Sequence, residues 1–173
     1  MKLAILSDIH DNVWALAAAL EHAQEAEALL CCGDLCSPFI IPRMAEGFAG
    51  KPIHIVFGNN DADLLRIARQ AGRFPQVQLH GAFFQGEVGG VSLAMNHYDD
   101  IALAIAAGGQ YQVLCYGHNH AYRVEQIGRT LTINNSHQQS PVPSIAALRA
   151  DVMRSMLSNE GRGEACLSTN STV

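Results

Sequence analysis

The segment VLCYGHNH, residues 113–120, joins an apolar run to two histidines, His118 and His120, that are spaced one residue apart. The apolar residues predict a buried strand, and the glycine at 117 lets the chain turn where that strand ends. Histidine pairs are common in loops, so this pair alone is weak grounds for a metal site. It gains meaning only if other strands deliver similar side chains to the same place.

Four other apolar runs end in the same way, in SDIH, CGD, GNND and NHYD. In open α/β sheets, functional groups gather at the carboxyl ends of strands. The polar side chains delivered by the five runs are Asp8, His10, Asp34, Asn59, Asn60, Asp61, Asn96, His97, His118 and His120. Five loops that are polar by chance would not be expected to share these residue types at the same end of each strand. We therefore expect the side chains to form one site at a shared edge of the sheets.

The first half of the chain alternates strands with helices. Residues 3–6, 28–32 and 53–57 are continuous apolar runs, as expected for strands of a sheet covered on both faces. Apolar residues at helical spacing predict helices over residues 12–26 and 62–71. Pro38 and Pro42 break up a short helical segment between the second and third strands.

The second half is richer in strands. Glycines predict hairpins about Gly89-Gly90 and Gly128-Arg129, and a helix that begins at residue 100 and is ended by Gly108 separates them. We therefore expect an α/β (α+β) chain with two mixed sheets flanked by helices. We predict a single domain over residues 1–157 and a flexible tail over residues 158–173, which are small, polar and unpatterned.

Composition narrows the classes of function. The 173 residues contain no apolar run near 18 residues, and the start of the chain is a poor signal peptide, so we expect a cytoplasmic protein without a membrane span. The net charge of −5 and 11 scattered Lys and Arg residues argue against a nucleic-acid polymer as partner. An anionic substrate would need positive charge from elsewhere, and metal ions are the obvious source.

The cysteines do not suggest a zinc cluster. There are five, an odd number without a C-x-x-C pair, and reduced core thiols fit them better than disulfides. For Cys36, close to Asp34, a packed thiol is the better interpretation than a contact with the site. We likewise expect Asp61 to fix the GNND turn and His54 to be a core or sheet-face residue.

The collected donor atoms predict a particular kind of metal centre. Imidazole nitrogens mixed with carboxylate and amide oxygens suit Mn, Fe, Co, Ni or Zn, and neither a structural zinc site nor an all-oxygen calcium site. One carboxylate between two such groups can bridge a pair of ions about 3.5–4 Å apart, the spacing used for in-line displacement at phosphorus.

The ordered blocks D-x-H, G-D, G-N-x-D, H and G-H-x-H resemble the calcineurin-like metallophosphoesterase superfamily, and the SDIHDN start resembles its small YfcE-like branch. The resemblance covers about residues 1–134. It implies a four-layer αββα sandwich that holds two divalent metal ions, and in this branch a homodimer or larger homo-oligomer. The implied metal ligands are Asp8, His10 and His120 for one ion and Asn59, His97 and His118 for the other, with Asp34 as the bridge.

The chain departs from the family pattern at three places. Asn60 occupies the position of a candidate proton donor, and an asparagine cannot act as a general acid. The fourth block reads His97-Tyr98-Asp99 where many relatives have H-G-H, so Asp99 would orient a ligand or meet the substrate. The segment NNSHQQSPVP, residues 134–143, lacks the arginine that follows the corresponding family segment.

The resemblance implies a metal-dependent phosphoesterase, and we expect a dinuclear phosphodiesterase that hydrolyses small phosphodiesters through a metal-bridging hydroxide, with manganese the favoured metal. The residues that we expect to affect catalysis directly are Asp34, Asn60 and Asp99. Two alternatives stay open: a phosphomonoesterase of a small metabolite, and a non-catalytic interaction module, like the retromer subunit that keeps this fold.

Overall fold

The computed structural model describes residues 2–136 and the backbone of residues 146–149. The strands are β1 Lys2–Leu6, β2 Ala28–Cys31, β3 Ile53–Ile55, β4 Val77–Leu79, β5 Phe83–Val88, β6 Val91–Asn96, β7 Val113–Tyr116, β8 Tyr122–Ile127, β9 Thr130–Asn135 and β10 Ala146–Arg149. The helices are α1 Val13–His22, α2 Ile40–Gly47, α3 Leu64–Ala71 and α4 Asp99–Ala107.

The strands form two five-stranded mixed sheets. The first has the order β10-β1-β2-β3-β4, in which β1 to β4 are parallel and β10 is antiparallel to β1. The second has the order β5-β6-β7-β9-β8, in which β6, β7 and β9 are parallel and each outer strand is the antiparallel arm of a hairpin. Both predicted hairpins are confirmed.

Apolar side chains fill three layers between four layers of secondary structure. Because alternate strand residues face opposite ways, Ala4 and Leu6 pack with α1 to α3, whereas Leu3 and Ile5 face the second sheet. Ala102 of α4 belongs to a third cluster on the outer face of the second sheet. The expected αββα sandwich is confirmed.

Several element bounds differ from the prediction. α1 ends at His22 and a 3-10 turn follows over Ala23–Glu25, where the side-chain amide of Gln24 donates to the Leu20 carbonyl. α3 begins only at Leu64, because the Asp63 side chain caps it by accepting from the backbone N–H of Arg66. The short strands β4 and β10 were not predicted.

The predicted tail, residues 158–173, lies outside the described residues. Among the helices that are described, none has the length and apolar character needed to cross a bilayer.

His54 faces away from the helices that cover the first sheet, as expected for a sheet-face histidine. Its Nδ1 atom lies 3.0 Å from Nε2 of His80, and the ring of Phe84 packs against both imidazoles. Burial lowers the pKa of both histidines, and at His80 the charge of His54 adds to the effect.

Candidate metal centre

The predicted site residues converge on one edge of the sandwich. β1, β2 and β3 of the first sheet, and β6 and β7 of the second, are parallel strands within their sheets. The loops that follow them bring all seven predicted ligands into a single cluster, namely Asp8, His10, Asp34, Asn59, His97, His118 and His120.

Asp34 lies at the centre of this cluster. Its Oδ2 atom is 3.5 Å from Nε2 of His10 and 3.5 Å from Nε2 of His97, and its side chain is only 1% exposed. One carboxylate oxygen therefore faces imidazoles from both sides. This is the geometry that a bridging carboxylate requires.

On one side of Asp34, the Oδ1 atom of Asp8 lies 3.8 Å from Nε2 of His10 and 3.9 Å from Nδ1 of His120. One ligand atom from each of these three residues lies within 4.8 Å of the other two. The three side chains come from loops after β1 and β7, so this half of the cluster spans both sheets.

On the other side, the Oδ1 atom of Asn59 lies 3.0 Å from Nε2 of His97 and 3.0 Å from Nδ1 of His118. These two imidazole nitrogens are 3.3 Å apart. Asp8, Asp34 and His97 also offer ligand atoms within 4.8 Å of one another. An amide oxygen, a carboxylate and two imidazoles thus converge here.

The hydrogen bond of His97 fixes which nitrogen faces the cluster. Its Nδ1 atom lies 2.8 Å from the backbone carbonyl of Cys32, which can only accept, so Nδ1 carries the proton. In the neutral ring, Nε2 then presents its lone pair towards Asp34 and Asn59. Metal-binding histidines are held by this type of bond.

The buried charges and unpaired atoms of the cluster fit divalent metal ions. Asp8 and Asp34 are each 1% exposed, and among residues 2–136 neither has an Arg or Lys partner. Buried carboxylates without cations are strongly unfavourable. Within residues 2–136, Asp8 Oδ1 and His10 Nε2 are also buried without a hydrogen-bond partner, and both face the centre of the cluster. A cation bound between them would satisfy both atoms.

The backbone of the site is unusual. Five of the seven predicted ligands have a positive φ: Asp8 at 55°, His10 at 46°, Asp34 at 56°, His118 at 74° and His120 at 54°. This left-handed conformation is uncommon outside glycine and is concentrated at functional sites.

Two glycines let the backbone approach these side chains. A Cβ atom on Gly58 would collide with Oδ1 of Asp34 and lie 2.8 Å from the His97 ring. A Cβ atom on Gly117 would collide with Oγ of Ser7 and lie 2.5 Å from Oδ2 of Asp8. No larger residue fits at either position without moving a predicted ligand.

Asp61 fixes the loops after β2 and β3, in agreement with its predicted structural role. Its Oδ1 accepts from the backbone N–H of Leu35 at 2.7 Å and of Cys36 at 3.0 Å. Its Oδ2 accepts from the N–H of Gly58 at 2.7 Å and of Asp34 at 3.1 Å. One carboxylate thus holds two of the loops that carry the cluster.

Asn60 and Asp99 both make contacts that orient other site residues. The Asn60 side-chain amide donates to Oδ2 of Asp34 at 2.8 Å, and its backbone N–H donates to Oδ1 at 2.9 Å. Asp99 accepts from the side-chain amide of Asn119 at 3.0 Å, and Asn119 in turn accepts from Asn134. Sequence reasoning missed Asn119, whose only signal was its position between two predicted ligands.

The interpretation of Cys36 as a merely packed thiol was wrong. Its Sγ atom lies 3.5 Å from Nδ1 of His10, the ring nitrogen that faces away from Asp8 and Asp34. Burial and the neighbouring carboxylates, Asp11 first among them, raise the pKa of this thiol to about 11. Among the described cysteines, Cys31, Cys32 and Cys115 are buried free thiols, as expected.

Both the sequence and the fold are similar to those of known phosphodiesterases. The chain is 26% identical over 138 residues to the phosphodiesterase MJ0936 of Methanocaldococcus jannaschii, a match that covers 78% of this chain and 82% of the relative. A structure described as a novel archaeal phosphodiesterase superimposes with a TM-score of 0.78 at 25% identity and covers 87% of this chain and 94% of the other.

Two further structures share the fold at lower identity. The Escherichia coli phosphoesterase YfcE gives a TM-score of 0.63 at 23% identity, with 87% of this chain and 90% of YfcE covered. Vps29 of Entamoeba histolytica, solved in complex with zinc, gives 0.58 at 18% identity, with 87% of each chain covered.

The calcineurin-like phosphoesterase superfamily domain matches residues 1–148, which lie within the predicted domain of residues 1–157. This match confirms the expected enzyme class, a hydrolase of phosphate esters, and agrees with the two-sheet architecture described above. The chain therefore belongs to the calcineurin-like phosphoesterase superfamily.

Proposed function

We propose that this protein is a dinuclear metal-dependent phosphodiesterase that acts on small phosphodiesters. The observation that carries the proposal is the position of Asp34 Oδ2, which is 3.5 Å from the nearest nitrogen of each histidine that flanks it. The names of the archaeal relatives support a diester substrate over a monoester.

In this proposal, Asp34 would be shared by two ions, and its flanking groups would complete the two sites. Asp8, His10 and His120 would hold one ion, and Asn59, His97 and His118 the other. Two divalent cations would neutralise the phosphoryl oxygens and lower the pKa of water enough for hydroxide to form near neutral pH. Manganese suits the mixed imidazole and oxygen donors.

Asn60 would orient the Asp34 carboxylate and would not act as a proton donor. Asn60 donates to both oxygens of Asp34 and so fixes the plane of that carboxylate. Because an asparagine has no acidic proton to give, the departing alcohol would leave unprotonated or take its proton from water or another side chain. The enzyme should therefore favour esters of acidic alcohols, such as phenols.

Hydrolysis of bis(p-nitrophenyl) phosphate with added Mn²⁺ tests the proposal. Asp34→Ala and His97→Ala should each lower kcat/KM by roughly a hundredfold or more. Asp100→Ala and His22→Ala, which change exposed residues of the same types, should leave it unchanged. Wild-type activity in both site variants would refute the assignment.

A non-catalytic interaction module is the second candidate, favoured by Asn60 at the proton-donor position and by the lack of an arginine in residues 134–143. The two candidates differ in turnover. An interaction module would bind Mn²⁺ in calorimetry yet hydrolyse neither diesters nor a panel of phosphomonoesters. Hydrolysis of monoesters alone would identify a phosphomonoesterase.

A further inference from the structure

Large apolar side chains are exposed beside the candidate metal centre. Of the six large hydrophobic residues that are exposed in the described part of the chain, five lie at the start of a helix: Trp14, Phe39, Leu64, Leu65 and Ile101. Trp14 is 83% exposed, and it is the only tryptophan of the chain. Tryptophan is usually well buried, so this degree of exposure needs an explanation.

Four of these residues, Trp14, Phe39, Leu64 and Leu65, form what we call the apolar rim. They begin α1, α2 and α3, each of which follows a loop that carries predicted ligands. Trp14 is four residues from His10, and Leu64 is four residues from Asn60. Four residues of chain span at most about 14 Å, so the backbone at Trp14 and at Leu64 lies no further than that from His10 and Asn60, respectively.

Hydrogen bonds hold the loops of the rim together. The carboxylate of Asp11 accepts from the backbone N–H of Ser37 at 2.9 Å and from its hydroxyl at 2.7 Å, which ties the start of α1 to the loop before Phe39. The N–H of Ala62 donates to the Cys36 carbonyl at 3.3 Å, which ties in the start of α3. The first turns of α1, α2 and α3 are therefore held together next to the loops of the site.

We propose that the apolar rim, with Trp14 as its main contact, receives a planar aromatic group of the phosphodiester substrate. This inference rests on the proposed function and names its substrate class. A nucleobase offers the same planar surface as an aryl ester.

The size of the rim favours a small aromatic group over a protein partner. A stable interface buries about 800 Å² on each partner. A fully buried aromatic side chain contributes about 150–250 Å², and here there are two partly exposed aromatic residues and two leucines. That area is enough to cover one or two rings.

Three diesters with the same leaving group test the inference on the Mn²⁺-loaded enzyme: methyl, phenyl and thymidylyl p-nitrophenyl phosphate. With the leaving group constant, kcat/KM reports only how the second ester group is bound. We expect wild type to prefer an aromatic second group by about tenfold, the usual size of a stacking effect. A higher value for the thymidylyl ester identifies a nucleobase, and a higher value for the phenyl ester identifies an aryl group.

Variants of Trp14 separate a binding role from a structural one. Trp14→Ala should lower kcat/KM for the aromatic esters and spare the methyl ester, whereas Trp14→Phe should keep most of the preference. Phe83→Ala, which removes an exposed aromatic ring from β5, should behave as wild type. Equal loss on all three esters in Trp14→Ala, or no preference in wild type, overturns the inference.

Intrinsic fluorescence gives a readout that does not need turnover, because Trp14 is the sole tryptophan. Diphenyl phosphate should quench its emission saturably and dimethyl phosphate should not. If wild type hydrolyses no diester, the proposed function fails while this titration still decides the aromatic site. Lack of a saturable quench, or a dimer that dissociates in Trp14→Ala with ester preference unchanged, overturns the inference.

Discussion

The carboxylate of Asp99 accepts a hydrogen bond from the side chain of Asn119 at 3.0 Å, and Asn119 lies between His118 and His120. The first turn of α4 thereby holds the loop that supplies one predicted ligand to each half of the metal centre. We therefore expect Asp99 to position this loop.

Asp99→Ala should weaken Mn²⁺ binding by about 10- to 100-fold, the usual effect of losing a residue that orients metal ligands. Isothermal titration calorimetry measures the change. Asp100→Ala is a matched control, because Asp100 is the other acidic residue in the first turn of α4. If the two variants bind Mn²⁺ equally, Asp99 acts only on the helix.

Asn60→His should change how the rate depends on the leaving group. Wild type should show a steep fall in kcat/KM as the alcohol becomes less acidic, because the side chain of residue 60 cannot protonate it. A histidine can act as a general acid, worth about 10²- to 10⁴-fold for poor leaving groups. Kinetics on a series of substituted phenyl esters measure both slopes, and parallel slopes would show that residue 60 does not reach the leaving oxygen.

Gly117→Ala should destabilise both the fold and the site, because the added methyl group meets Ser7 and Asp8. Overpacking of this kind costs about 1–3 kcal/mol, and displacement of Asp8 should also weaken Mn²⁺ binding. Thermal unfolding and calorimetry measure the two effects. Gly72→Ala serves as control, since its Cβ atom would make only ordinary contacts of 3.5 Å or more.

Asp61→Asn should lower the free energy of unfolding by about 2–4 kcal/mol. The amide NH2 group cannot accept, so two of the four backbone N–H groups that Asp61 now satisfies lose their acceptor. Urea denaturation measures the loss. Asp63→Asn should be nearly neutral, because asparagine caps helices as well as aspartate and tolerates the φ of 48° at that position.

The His54–His80 pair should make stability depend on pH. Burial lowers the pKa of both rings below 6.5, so below that pH the unfolded chain binds more protons than the folded chain. The contribution is complete above pH 6.5 and is lost as the pH falls through the folded-state pKa values.

Urea denaturation of wild type and His54→Gln from about pH 8 to about pH 5 measures this effect. The free energy of unfolding should fall less steeply in the variant, which has one fewer group to protonate. The histidines of the metal centre contribute alike to both proteins, so curves that run parallel would contradict the prediction.

Much of the fold and the site could be predicted because each strand leading to the site is a continuous apolar run that ends abruptly in Asp, Asn or His. Buried strands leave that signature in a single sequence. β4 lacks it, because Val77 and Leu79 are only partly buried and the strand exists through its pairing with β3. The predicted ligands were all brought together, but their positive φ values had no sequence signal.

Contacts between loops of the site could not be predicted from the sequence. Cys36 meets His10 and Asn119 meets Asp99 across 26 and 20 residues, respectively. Such contacts depend on where two loops lie in space, which no local pattern records. Asp61 was the exception, because an aspartate just after a Gly-Asn turn is a common way to hold that turn.

The left-handed backbone at five predicted ligands limits what can replace them. Asp, Asn and His are the non-glycine residues that tolerate this conformation best, so a descendant that stopped hydrolysing phosphate would still be under pressure to keep them. Asn59 and His97 have no such backbone demand. His97 is buried and hydrogen-bonded to the Cys32 carbonyl, whereas Asn59 is exposed. Within this architecture, decay of the catalytic function should therefore be visible first at Asn59.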